Sequence, residues 1–223
     1  MWKPLLKVFG KETLLDKAYK DSYKMLALTE KMYMAARTTL RTRTPTDIDI
    51  DIFEADAKVN KYERKIRKKV MRHLEQQRPE DLYSGLLLVS VVIDMERIGD
   101  ECKNVLNLAQ NYHGRLKSKY YDEDMIKIES AVEEIFAKVR AQFKTMNIVD
   151  AEKLLSDYRW VNKMCDQRES DLIKETDKSM PPAKAAAIAL YIRHLKRINS
   201  HLRNIATSVV SPFDRIGFSV KTS

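Results

Sequence analysis

Met95-Glu96-Arg97-Ile98-Gly99-Asp100 lies inside a long apolar-periodic segment, and one hundred residues later Leu195-Lys196-Arg197-Ile198-Asn199-Ser200 lies inside another. Around the first, Leu88, Val91, Met95, Ile98, Cys102, Val105 and Ala109 step by three and four. Around the second, Ile188, Tyr191, Leu195, Ile198, Leu202, Ile205 and Val209 keep the same register. Such stepping puts one apolar stripe along an α-helix. Asn104 recurs as Asn204. Seven matched apolar positions, with a shared Arg-Ile and a shared Asn, mark an internal duplication in which Ile98 and Ile198 are equivalent core residues. The copies differ in one respect that matters for chemistry. The first carries Glu96 and Asp100, and the second carries Lys196 and Ser200.

The rest of the chain reads as further long helices. Its 223 residues include only 5 Gly and 6 Pro, with charged residues at 33%, a composition suited to helices with few turns. The first helix runs from about Lys11 to Arg41 and stops before Thr44-Pro45, because a residue preceding proline is driven out of the α region. Thr46-Asp47-Ile48-Asp49 has the form of a capping box opening a second helix to about Gln77. Pro79 opens a third, which reaches Tyr112 and ends ahead of Gly114. A fourth spans about Asp122 to Met146 and a fifth about Asp150 to Lys174; Met180-Pro181-Pro182 then breaks the chain before a sixth, to about Val210. No period-two strand pattern or hairpin signal is present. The expected fold class is all-α: two tandem three-helix bundles at 12–114 and 118–210, preceded by an amphipathic segment at 1–11 and followed by a tail at 211–223.

Cys102 and Cys165 are isolated and lie on core faces, which fits a reducing cytoplasm rather than a disulfide framework. The most apolar run, Gly85 to Ile93, is too short to cross a bilayer. The net charge of +9 favours an acidic partner or the anionic inner leaflet. Trp2, Leu5, Leu6, Val8 and Phe9 offer a short, reversible membrane anchor. The densest basic run, Lys61, Arg64, Lys65, Arg67, Lys68, Lys69 and Arg72, wraps most of an exposed helix surface, and its plainer reading is a solvated face.

Carboxylates four apart on a helix project side by side and repel unless a cation, a proton or a basic residue lies between them. Glu96 and Asp100 are such a pair, and the second helix repeats the spacing with Asp56 and Asn60, followed by Glu63. If the second and third helices pack antiparallel, Asp56, Asn60, Glu96 and Asp100 offer several oxygen donors to one metal ion. Oxygen donors suit Mg, Ca, Mn or Fe. Asn162, Asp166 and Glu169 on the fifth helix repeat the spacing as a secondary set with Glu63, but their partners are Lys196 and Ser200. The Lys196 ammonium can stand in for a metal by pairing with Asp166. Against this, isolated acidic pairs on helices mostly face water.

None of His73, His113, His194 and His201 has Glu three residues before it, which argues against a di-iron carboxylate bundle, and they read as surface or packing residues. Phosphate-loop, zinc-protease and nucleophile-elbow motifs are missing, so an enzyme is disfavoured.

Asp56-Ala-Lys-Val-Asn60-Lys-Tyr-Glu63, Gln76-Gln77-Arg78-Pro79 and Glu96-Arg97-Ile98-Gly99-Asp100 with Lys103-Asn104 resemble the PhoU family over about residues 12–210, closely in the first repeat and loosely in the second. The resemblance implies two three-helix repeats whose acidic motifs bind metal clusters. Here that means a divalent or trivalent ion, such as an iron or zinc cluster, in the first repeat. It also implies a non-enzymatic adaptor controlling phosphate uptake, in contact with a phosphate transporter or permease component or a sensor kinase. The expected form is a cytoplasmic homodimer or higher homo-oligomer, peripheral at the inner face of the membrane. The competing reading is a basic helical scaffold that binds nucleic acid or anionic membrane, its carboxylates purely structural.

Overall fold

The computed structural model describes residues 12–42, 50–76 and 79–218, and these form seven α-helices and two short 3-10 turns. Helices α1 (Leu14–Thr42), α2 (Ile52–Leu74) and α3 (Leu82–Asn111) pack on one another as the first bundle. Helices α4 (Asp122–Thr145), α5 (Ile148–Asp157), α6 (Arg159–Ile173) and α7 (Pro182–Val210) form the second. No strand occurs among the described residues.

Local signals set the helix ends. Thr13 and Asp16 form a reciprocal capping box at α1, Thr13 Oγ1 accepting from Asp16 N at 3.1 Å and Asp16 Oδ2 accepting from Thr13 N at 2.8 Å. The Thr46 box and the Trp2–Phe9 segment lie outside the described residues; α2 itself opens at Asp51, whose carboxylate accepts from Phe53 N and Glu54 N. A 3-10 turn at Pro79–Asp81 leads into α3. Gly114 takes a positive φ of 93° just beyond the end of α3, and Met146 caps α4 in the left-handed conformation.

The single helix expected at about Asp150–Lys174 is two, α5 and α6, separated at Tyr158. Nothing in its composition marks the break, since no Gly or Pro stands there. The cause is tertiary. The Tyr158 hydroxyl accepts from Lys138 Nζ at 2.7 Å and donates to Glu134 on α4, and the Lys138 ammonium lies 4.7 Å from its ring centroid.

All fourteen positions of the duplicated apolar frame are buried, with Ile98 and Ile198 completely so. The bundles join along two helix pairs, α3 with α7 and α1 with α4. Between α1 and α4, Arg41 reaches Asp122 at 2.8 Å and the buried Glu129 at 2.9 Å, while Arg37 pairs with Glu133 and Arg140 with Glu30. Glu129 also accepts from the Tyr191 hydroxyl at 2.7 Å, which ties α7 to the same cluster. Both cysteines are buried in the core, and burial pushes the Cys165 thiol up to about 12.

Candidate functional site

Helices α2 and α3 run antiparallel, since Val59 lies against Gly99 while Val70 lies against Gly85. Gly99 permits their close approach where the acids meet. A Cβ there would stand 3.3 Å from Val59 Cγ1 and 3.8 Å from Asp56 Oδ1. A helical glycine costs about 1 kcal/mol in propensity, and here the packing of α2 on α3 offsets it.

The first-half candidates, Asp56, Asn60, Glu96 and Asp100, come together across this contact, but a lysine sits among them. Lys103 Nζ donates to Asp56 Oδ2 at 2.8 Å and to Asp100 Oδ1 at 3.0 Å. Asn60 Nδ2 lies 3.5 Å from Asp56 Oδ2, and Glu63 pairs with Arg67 at 2.8 Å. The Arg97 guanidinium stands 3.6 Å from Glu96 and 3.5 Å from Asp100. Burial raises the pKa of Glu96, and the Asp100 charge raises it further against the opposing pull of Arg97, with added contributions from Glu63 and Asp56. The hydrogen bond to Asp56, with help from Asp100, makes the Lys103 ammonium hold its proton more firmly than a free lysine.

Tested against a metal ion, this arrangement does not fit. Among the described residues no group of three or more His, Cys, Asp or Glu is placed to hold one. The positive charge between Asp56 and Asp100 is the lysine's.

The second half sets amides and a hydroxyl where the first sets Asp56 and Asp100 around Lys103. Asn199 stands in the place of Gly99 and donates through Nδ2 to Asn162 Oδ1 at 2.8 Å, while Asn162 Nδ2 donates to Ser200 Oγ at 3.1 Å. Lys196 Nζ donates to Asp166 Oδ1, the pairing its spacing suggests. Glu169 takes no part, and its Oε1 is buried without a hydrogen-bond partner among the described residues.

Three histidines are buried or partly buried, and each meets a carboxylate. His73 lies 2.8 Å from Asp81. On the α3–α7 seam, His201 Nδ1 lies 2.8 Å from Asp94 and His194 Nδ1 lies 2.7 Å from Glu101, which also accepts from Arg197. Asn204 Nδ2 donates to Asp94 at 3.0 Å. The one-hundred-residue offset already carried the signal: Asp94 matches His194, and Glu101 matches His201. Each acid on α3 therefore meets the histidine that is the other acid's counterpart, as a two-fold relation between antiparallel helices requires.

The two halves described by this geometry are also recognisable by comparison. The family model of the PhoU domain matches residues 23–109 and again residues 125–209. The chain belongs to the PhoU family. The first PhoU domain match spans most of α1 through α3, and the second runs from α4 to α7. A phosphate-specific transport system accessory protein PhoU homolog of Pseudomonas putida is 25% identical over an alignment of 193 residues that covers 83% of this chain and 73% of that protein. The fold is that of PhoU from Pseudomonas aeruginosa, with a TM-score of 0.75 at 24% identity, covering 88% of this chain and 95% of that one. The phosphate transport system regulatory protein PhoU of Streptococcus pneumoniae superposes with a TM-score of 0.68 at 14% identity, over 87% of this chain and 91% of the other.

Proposed function

We propose that this protein regulates phosphate transport and does so by contact, as a non-enzymatic helical adaptor. The observation that carries the reading is the pair of PhoU domains, which take in nearly all of the helical body. The Pseudomonas putida relative, described as a phosphate-specific transport system accessory protein, supports the process. Two bundles locked along a double seam make one firm body with broad helical faces, a form suited to docking. Its partner is a membrane phosphate transporter component or the sensor kinase that works with it, met at the inner face of the membrane by a homo-oligomer. No helix among the described residues is long and apolar enough to cross a membrane.

The test is crosslinking in the native host under phosphate-replete conditions, followed by capture of the tagged full chain and mass spectrometry of what comes with it. A phosphate transporter subunit or its sensor kinase is expected among the crosslinked proteins. Recovery of neither, with the tagged chain intact and abundant, overturns the contact mechanism.

A further inference from the structure

The two outer edges of the molecule carry opposite charge. Helix α2, the edge of the first bundle, has eight Lys or Arg against three Asp or Glu. Its counterparts α5 and α6 together have four against six. The halves descend from one repeat, so the basic edge is a property of this helix rather than of the fold.

Within α2, Lys65 and Lys69 pair with Asp21, Arg67 with Glu63, and Lys58 with Glu54. Lys61, Arg64, Lys68 and Arg72 are exposed and form no ion pair with a described residue. Spaced by three, four and four, they fall on one stripe about 17 Å long. Phe53 and Met71, 46% and 57% exposed, share a face that flanks the stripe, Met71 beside Arg72 and Phe53 about two turns before Lys61.

We propose that this face of α2 docks on an anionic lipid bilayer. The helix packs inward on α1 and α3, so its outer face is convex. A convex face gives a peptide nothing to grip on its far side, whereas a flat surface meets all four cations together. Exposed Phe53 and Met71 beside the cations suit an interface with apolar depth behind its headgroups, which neither nucleic acid nor an acidic protein surface provides. The proposal deepens the reading of a regulator working at a membrane transporter, and rests on that reading for its place in the cell.

The experiment uses the purified full chain and lipid alone, so its outcome is separable from that of the crosslinking test. Co-sedimentation is measured with phosphatidylglycerol-containing vesicles, with pure phosphatidylcholine vesicles and with duplex DNA, from about 0.05 to about 0.3 M salt. Binding is expected only to the anionic vesicles, weakening as salt rises. An Arg64→Glu, Lys68→Glu variant should bind them at least about tenfold more weakly. A Lys163→Glu, Lys178→Glu variant makes the same change of net charge on the opposite half and should keep the affinity. Circular dichroism establishes that both remain folded, and Arg64→Gln, Lys68→Gln serves if the reversal does not. No binding to anionic vesicles at low salt overturns the proposal. So do equal losses in the two variants, which would make the effect one of net charge, and so does tighter stripe-dependent binding to DNA.

Discussion

Tyr33 of α1 stacks on Phe136 of α4, with ring centroids 5.5 Å apart and planes inclined by 30°. The two rings occupy equivalent places in the two halves. Glu30-Lys-Met-Tyr33-Met-Ala-Ala-Arg37 and Glu133-Glu-Ile-Phe136-Ala-Lys-Val-Arg140 share their Glu, aromatic and Arg at one spacing. Accordingly Glu30 pairs with Arg140 and Glu133 with Arg37, each acid taking the other copy's arginine. The ring pair thus marks the crossing of α1 and α4.

Phe136 is fully buried, so Phe136→Ala is expected to cost about 3–5 kcal/mol of stability by leaving a cavity on the seam. Urea unfolding followed by circular dichroism measures it. A cost below about 1 kcal/mol would show that the ring pair does not hold the halves together.

The Glu101 carboxyl feels burial, which pushes its pKa up, and hydrogen bonds and charge from His194 and Arg197, which more than reverse this and hold it below the ordinary value. An acid whose pKa is lower folded than unfolded stabilises the fold above its unfolded pKa of about 4.3 and loses that contribution as pH falls through the folded value. Glu101→Gln should therefore lower stability at pH near 7 by about 1–3 kcal/mol. It should also flatten the acid limb of the stability–pH curve below pH of about 4.3. An unchanged acid limb in the variant would contradict the assignment.

Lys103 supplies the cation between Asp56 and Asp100, so a divalent ion can enter there only in its place. Lys103→Met leaves those carboxylates facing each other, and their repulsion should raise Mn²⁺ affinity by about tenfold or more, read by calorimetry. The further change Glu96→Gln, Asp100→Asn should abolish the gain. Equal Mn²⁺ affinity with and without the lysine would mean that the ammonium does not occupy the site.

Gly99 sits in a tight contact, where an added Cβ would stand 3.3 Å from Val59 Cγ1. Gly99→Leu should force α2 from α3 at a cost of about 1–3 kcal/mol despite its better helix propensity. A thermal midpoint at or above the parent's would show that α2 yields easily.

The fold was legible mainly because the α3 and α7 stripes keep one offset of a hundred residues and both are core throughout. The α1–α4 repeat was harder to see. Its offset is 103, so a register carried over from α3 and α7 slides past it. The α5–α6 break depends on Lys138 and Glu134 holding a tyrosine from another helix, and no local signal reports that. In the acidic set, the helical spacing of Asp56, Asn60, Glu96 and Asp100 was enough to bring them together. The role of Lys103 was hidden because a lysine one turn beyond an acidic motif reads as solvated charge until the facing helix is placed. The Asp166–Lys196 pair was legible because both residues occupy motif positions.

Control of phosphate transport is tested most directly by the initial rate of radiolabelled phosphate uptake in the native host, with the gene deleted and then restored on a plasmid. Deletion should change the uptake rate or its repression by external phosphate, and the restored chain should return both to the parental level. Uptake that is the same in the parent, the deletion strain and the complemented strain, in phosphate-rich and phosphate-poor medium alike, would contradict the account.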